Sequence, residues 1–215
     1  MREQTTDLTM QQNQTSQFQP GEINMSKWIS NGWDLIMKDF GNFLLLSFVY
    51  VALLTIAFST WIIGLIVAGP LTAGFFYIIF SRIRGRNFYL GDIIKGFEVW
   101  VPAALADILI SIFVGLGFIF LIIPGIIISA LYLFAIPLII EKRMDFWQAM
   151  ETSRKLVSRN LLEFSIFMLL LYVILFIGVL ILGVGFLVAL PVTFAAIAYA
   201  YADLIGLENE EQASR

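Results

Sequence analysis

Three stretches of this chain, Asn42 to Phe80, Val101 to Ile140 and Phe164 to Ala202, run almost without charge. Each holds about 40 residues, twice the roughly 20 that cross a hydrocarbon core about 30 Å thick. Each block therefore reads as two helical spans joined by a tight turn. The turn signals sit at the midpoints: Ser59, Thr60 and Trp61 in the first block, Gly115 and Gly117 in the second, Gly183 and Gly185 in the third. The expected fold class is all-α, a polytopic transmembrane bundle of about six helices arranged as three tight hairpins. The spans fall at about 42–60, 62–80, 101–119, 121–140, 164–182 and 185–203.

Those spans form one membrane domain over residues 23–204, leaving a polar tail at 1–22 and an acidic tail at 205–215. The first tail places Gln11, Gln12, Gln14 and Gln17 among Thr, Ser and Asn. It offers too little apolar surface to offset its ordering entropy, so disorder is expected there. It also lacks the basic start and short apolar run of a secretory signal.

Charge sets the orientation. All 13 Lys and Arg lie in the tails or in the segments between blocks, and none at a hairpin turn. Arg82, Arg84, Arg86 and Lys95 occupy the first connection; Lys142, Arg143, Arg154, Lys155 and Arg159 occupy the second. Basic residues flanking spans are retained on the cytoplasmic side, so both connections and both termini are expected inside.

Composition then removes function classes. The chain is 60% hydrophobic with a net charge of −3 and no basic, aromatic-interleaved stripe, which argues against nucleic acid as a partner. It has no Cys and no His. Thiolate chemistry, the usual proton shuttle and the commonest transition-metal ligand are thereby missing, and no cofactor or metal is expected. Neither a phosphate-cradling glycine loop nor a nucleophile with a recognisable base appears, and the expectation is a protein that is not an enzyme.

The connections carry amphipathic patterns. Before the first span, Trp28, Ile29, Trp33, Ile36, Met37 and Phe40 recur at helical spacing after Ser26, an expected N-cap; this segment reads as a helix lying at the headgroup level or as a lead into the first span. Leu90, Ile93, Ile94, Phe97 and Trp100 form a second such set, and Phe146, Trp147, Met150, Val157 and Leu161 a third. Both suggest short cytoplasmic helices resting on the bilayer or the bundle, with a cytoplasmic or membrane protein as an alternative partner.

The second helix of each hairpin carries a proline, Pro70, Pro124 and Pro191, followed by small residues and a tyrosine. A weak threefold repeat accounts for this, with the prolines and Gly125 bending or breaking helices and aiding their packing. Small-residue pairs such as Gly64 with Ala68, Ala196 with Ala200 and Ala198 with Ala202 offer close contact faces. Three runs appear in a distinctive order: Gly69-Pro70-Leu71-Thr72-Ala73-Gly74, Phe120-Leu121-Ile122-Ile123-Pro124-Gly125-Ile126-Ile127 and Ala149-Met150-Glu151-Thr152-Ser153-Arg154-Lys155-Leu156. On these runs the sequence from Trp33 to Asp203 resembles the bacterial membrane proteins related to the membrane domain attached to some glycerophosphoryl diester phosphodiesterases. The resemblance implies a six-helix bacterial inner-membrane protein. It implies no phosphodiesterase activity, since the soluble catalytic domain with its metal-binding acids and histidines is not in this sequence.

Inside the apolar blocks the clearest ionisable residue is Asp107, about six residues into the third span and so roughly 9 Å along it. A carboxylate there marks a candidate polar site by default, with Ser111 one turn on as its expected hydrogen-bond partner. The alternative is a carboxylate that snorkels to the interface or pairs with a basic helix end. Asp203 reads as a boundary residue of the last span. Two functions follow: a membrane scaffold or accessory protein, or a transporter or lipid-handling protein whose polar site includes Asp107.

Overall fold

The computed structural model describes residues 23 to 181 and 184 to 207. The expected tail at 1–22, most of the acidic tail and the turn residue Gly183 lie outside the described residues. Every regular element among those described is helical. In order they are α1 (Met25–Lys38), α2 (Phe40–Phe58), α3 (Trp61–Ile83), a 3-10 segment (Leu90–Val99), α4 (Trp100–Phe120), α5 (Ile122–Leu131), α6 (Ala135–Lys142), α7 (Phe146–Val157), a short 3-10 turn (Ser158–Asn160), α8 (Leu161–Leu180) and α9 (Val184–Leu204). Six helices are long and apolar enough to cross a membrane, with α5 and α6 counted as one interrupted span. The chain is an all-α, multi-pass membrane protein.

The hairpins are not symmetric across their two arms. In the first arm of each, α2, α4 or α8, only 22% of the most apolar window is buried within the protein; in the second arms the share is 61%, 56% and 56%. The second arms therefore form the interior and the first arms form a lipid-facing outer layer. Aromatic rings fill that interior. Phe134 of the fourth span meets Phe164 of α8 and Tyr201 of α9; Tyr201 meets Phe80 of α3 at 5.3 Å; Phe80, Phe76, Phe194 and Phe75 continue the series to Tyr50 of α2.

The run from Gly69 to Gly74 is a docking surface. A Cβ on Gly69 would run into the Ala103 carbonyl of α4, and one on Gly74 into the Ile93 carbonyl of the 3-10 segment. Gly96 reciprocates against the Pro70 carbonyl and Gly74. Segment Leu90–Val99, expected as a short helix, is wound as a 3-10 helix; the narrower winding suits so close a backbone approach. Its start is fixed by Asp92, whose Oδ2 accepts from the Tyr89 N–H at 2.8 Å.

Several sequence expectations need correction. The cap of α1 is Asn24, whose side chain accepts from the Lys27 N–H, and not Ser26. Trp28 does not sit at a headgroup: it is fully buried, because α1 packs on α9 with Gly32 against the backbone at Ala196. Trp33, half exposed, keeps the expected outward position. The prolines do not break their helices. Helix α3 runs through Pro70 and α9 through Pro191 without interruption. Pro124 lies in the first turn of α5, where backbone N–H groups have no intrahelical acceptor, so the missing N–H costs nothing. The real interruption of the fourth span is at Tyr132–Phe134, between α5 and α6. Gly117 and Gly125 approach closely: a Cβ on Gly117 would lie 2.9 Å from the Gly125 Cα.

Ser153 of α7 closes that interruption. Its Oγ donates to the Leu131 carbonyl at 2.8 Å and accepts from the Phe134 N–H at 3.1 Å. The run Ala149 to Leu156 thus places a fully buried hydroxyl against two backbone groups that the bend releases. Ion pairs join the connections to one another. Arg82 meets Asp39 at 3.6 Å, Arg84 meets Glu141, and Arg143 meets Glu98 at 2.7 Å. Of these only Arg143–Glu98 is exposed, and a pair of that kind contributes about 0 to 1 kcal/mol.

Candidate functional site

Asp107 belongs to α4, one turn beyond the Ala103 that packs on Gly69. That close contact holds the α4 face carrying Asp107 toward α3. Across from it, Tyr50 of α2 and Thr72 of α3 share a hydrogen bond at 3.0 Å between their hydroxyls. Tyr50 is held edge-on by Phe75, with ring centres 5.2 Å apart, and by Phe194 at 6.0 Å. The Asp107 carboxylate lies within electrostatic reach of the Tyr50 hydroxyl. Three spans therefore supply a hydrogen-bonded pair of hydroxyls and, within electrostatic reach of one of them, a carboxylate.

Asp107 is half-buried, and among the described residues it makes no hydrogen bond and no ion pair. The expected bond from Ser111 is not formed; Ser111 is exposed. Residues one turn apart hold their Cβ atoms about 5 to 6 Å apart, too far for two short side chains to meet unless both turn toward each other. Pairing with a basic helix end is not seen either among the described residues; Lys95 and Arg143 are both held by Glu98.

The sequence alone does not mark Tyr50 and Thr72 as partners of Asp107. Their signal was available: each is a polar residue inside an apolar block, and Thr72 sits within the Gly69–Gly74 run. A second polar contact, from the Tyr172 hydroxyl of α8 to Ser129 Oγ of α5 at 2.8 Å, was equally unmarked. Ser129 in turn donates to the Gly125 carbonyl, so this contact is a helix-to-helix fastening. Pro70 and Pro191 lie in the interior arms, Pro70 next to the site through Thr72 and Gly96.

Two open grooves lie on the outer surface. One, of about 390 Å³, runs between α4 and α5 past Phe113, Gly117, Pro124 and Tyr132. The other, of about 430 Å³, lies between α5 and α8. Neither includes Asp107. The site can present a negative charge and two hydroxyls to a cation, a proton or a hydroxylated headgroup.

Asp203 has a definite partner set. Its carboxylate accepts from the Trp28 indole N–H at 2.7 Å and faces Lys27 at 3.7 Å. On α7, Arg154 holds Glu151 through two hydrogen bonds of 2.8 Å, with Lys155 at 3.4 Å. Those bonds and charges keep the Glu151 carboxyl down at about 2, against an ordinary 4.5.

No protein-family model, curated protein or solved structure matches this chain.

Proposed function

We propose that the chain is a non-enzymatic scaffold or accessory protein of a bacterial cytoplasmic membrane, with its connections and both termini on the cytoplasmic side. It is grouped here with the membrane proteins related to the phosphodiesterase-linked membrane domain, on the three runs named above. The observation that carries this reading is the filled interior. The rings from Phe134 through Tyr201, Phe80 and Phe194 to Tyr50 occupy the space a conduction path would need. Outside that interior the polar surface lies on the connections, where α7 exposes Trp147 and a charged face to a cytoplasmic or membrane protein partner.

Because the chain has no Cys, single cysteines give a clean test. Arg86→Cys, Ser59→Cys and Thr72→Cys are placed one at a time, and sealed vesicles are treated with a water-soluble maleimide. The expected outcome is labelling of the first from the cytoplasmic face alone, of the second from the opposite face, and of the third from neither. Labelling of the third in folded protein contradicts a filled interior.

The cluster of Asp107, Tyr50 and Thr72 favours a second reading, a transporter or lipid-handling protein with its polar site at Asp107. On that reading Asp107→Asn abolishes solute or lipid movement in proteoliposomes. On the first reading the substitution is tolerated.

A further inference from the structure

The groove between α5 and α8 has an unusual pair of walls. Ile123, Ile126 and Ile127 come from the first two turns of α5, and Leu162, Ile166 and Leu169 from the start of α8. Helix α5 begins at the turn of the second hairpin, whereas α8 begins at the charged connection. Two upright antiparallel spans of about 20 residues would hold those starts about 30 Å apart. Residues from near both starts nevertheless line one groove, a wedge that opens toward the bilayer.

The wedge faces lipid: Ile123 is 69% exposed and Leu162 74%. Its volume, about 430 Å³, falls within the range of about 300 to 1,000 Å³ typical of small-molecule sites. The polar atom in its wall is the Ser165 hydroxyl, and this is turned back onto the Leu161 carbonyl at 2.7 Å. An occupant therefore meets hydrocarbon along the wedge.

At the connection end the charge is unbalanced. Arg154 and Lys155 are both held by Glu151, and Arg143 by Glu98. Arg159, two residues before the groove residue Leu161, is exposed and forms no ion pair among the described residues. Glu163 lies close in sequence, yet it stands about 130° around the helix from the groove face set by Leu162, Ser165 and Leu169, at about 100° per residue. It forms no ion pair with Arg159 among the described residues.

We propose that this wedge is a binding site for one anionic phospholipid, its acyl chain against Ile126 and Leu169 and its phosphate at Arg159. Charge selects the headgroup, and the groove between α5 and α8 supplies the room for the chain. The site is independent of whether the bundle acts as a scaffold or a transporter.

The test uses full-length protein reconstituted in equal phosphatidylglycerol and phosphatidylcholine, extracted in mild detergent, with retained lipids counted by native mass spectrometry. Wild type is expected to retain one phosphatidylglycerol in preference to phosphatidylcholine. Arg159→Gln should reduce that preference by about fivefold, the weight of one basic residue at a membrane surface, and Arg159→Lys should largely keep it. Leu162→Trp, which fills the groove from an exposed position, should reduce retention of both lipids. Lys38→Gln, which removes an exposed cation of α1, should change nothing. An equal loss in Lys38→Gln and Arg159→Gln would mean diffuse attraction and overturn the site. So would a wild type without preference, or an Arg159→Gln variant that keeps it.

Discussion

The indole N–H of Trp28 donates to Asp203 at 2.7 Å, joining the first described helix to the end of the last span. The ring itself is closed in by Phe164 and Phe167 of α8. Three elements from distant parts of the chain thus converge on one buried side chain. Trp28→Phe keeps most of the packing and removes the bond to a charged acceptor. It is expected to lower stability by about 1.5 to 3 kcal/mol. Thermal unfolding in detergent measures this, and an unchanged midpoint would show that α1 is not held through Asp203.

Ser153→Ala deprives both the Leu131 carbonyl and the Phe134 N–H of their partner. Each buried group left unsatisfied costs about 1 to 3 kcal/mol. Hydrogen exchange at the Phe134 amide is expected to accelerate well before the rest of the fourth span does. Exchange at the wild-type rate would mean that the bend is satisfied some other way.

Gly74→Ala places a methyl group into the Ile93 carbonyl, a backbone atom that cannot rotate aside. Overpacking of this kind costs about 1 to 3 kcal/mol. The variant should therefore melt earlier, whereas Gly91→Ala, in open space on the same 3-10 segment, should not. Equal melting of the two would remove the close-approach explanation for the Gly69–Gly74 run.

The Glu151 carboxyl titrates at about 2, below its ordinary 4.5, because Arg154 and Lys155 favour its charged form. A depressed folded-state value contributes stability that is fully present above pH 4.5 and is lost as the pH falls toward 2. Carbon NMR of labelled Glu151 should follow this titration, and Arg154→Gln should move its midpoint upward. A midpoint near 4.5 in the wild type would mean that the pair is not maintained in solution.

The six spans were legible because block length alone decides how often such a chain crosses a bilayer. What lay beyond local reading were contacts set by remote residues. Pro124 reads as a break, yet it falls in a first turn where proline is harmless; the break at Tyr132–Phe134 lies just before Pro137, which has no N–H to offer the Leu133 carbonyl four residues back, and Ser153 bonds the groups released at Leu131 and Phe134. Trp28 reads as an interfacial residue, since nothing near it in sequence announces Phe164, Phe167 and Asp203. Asp107 was legible as an isolated charge. Its neighbours Tyr50 and Thr72 were not, because they come from two other spans, and the expected partner Ser111 failed because helical spacing does not ensure reach.

The closure of the fourth span by a later helix also imposes an order of events during synthesis. The groups freed at Leu131 and Phe134 wait for a hydroxyl that leaves the ribosome about 20 residues afterwards. A span released into lipid before then would carry bare backbone groups into hydrocarbon, at several kcal/mol each. The fourth span is therefore best held by the insertion machinery until α7 has emerged, so that a surface helix sets when a buried one is let go.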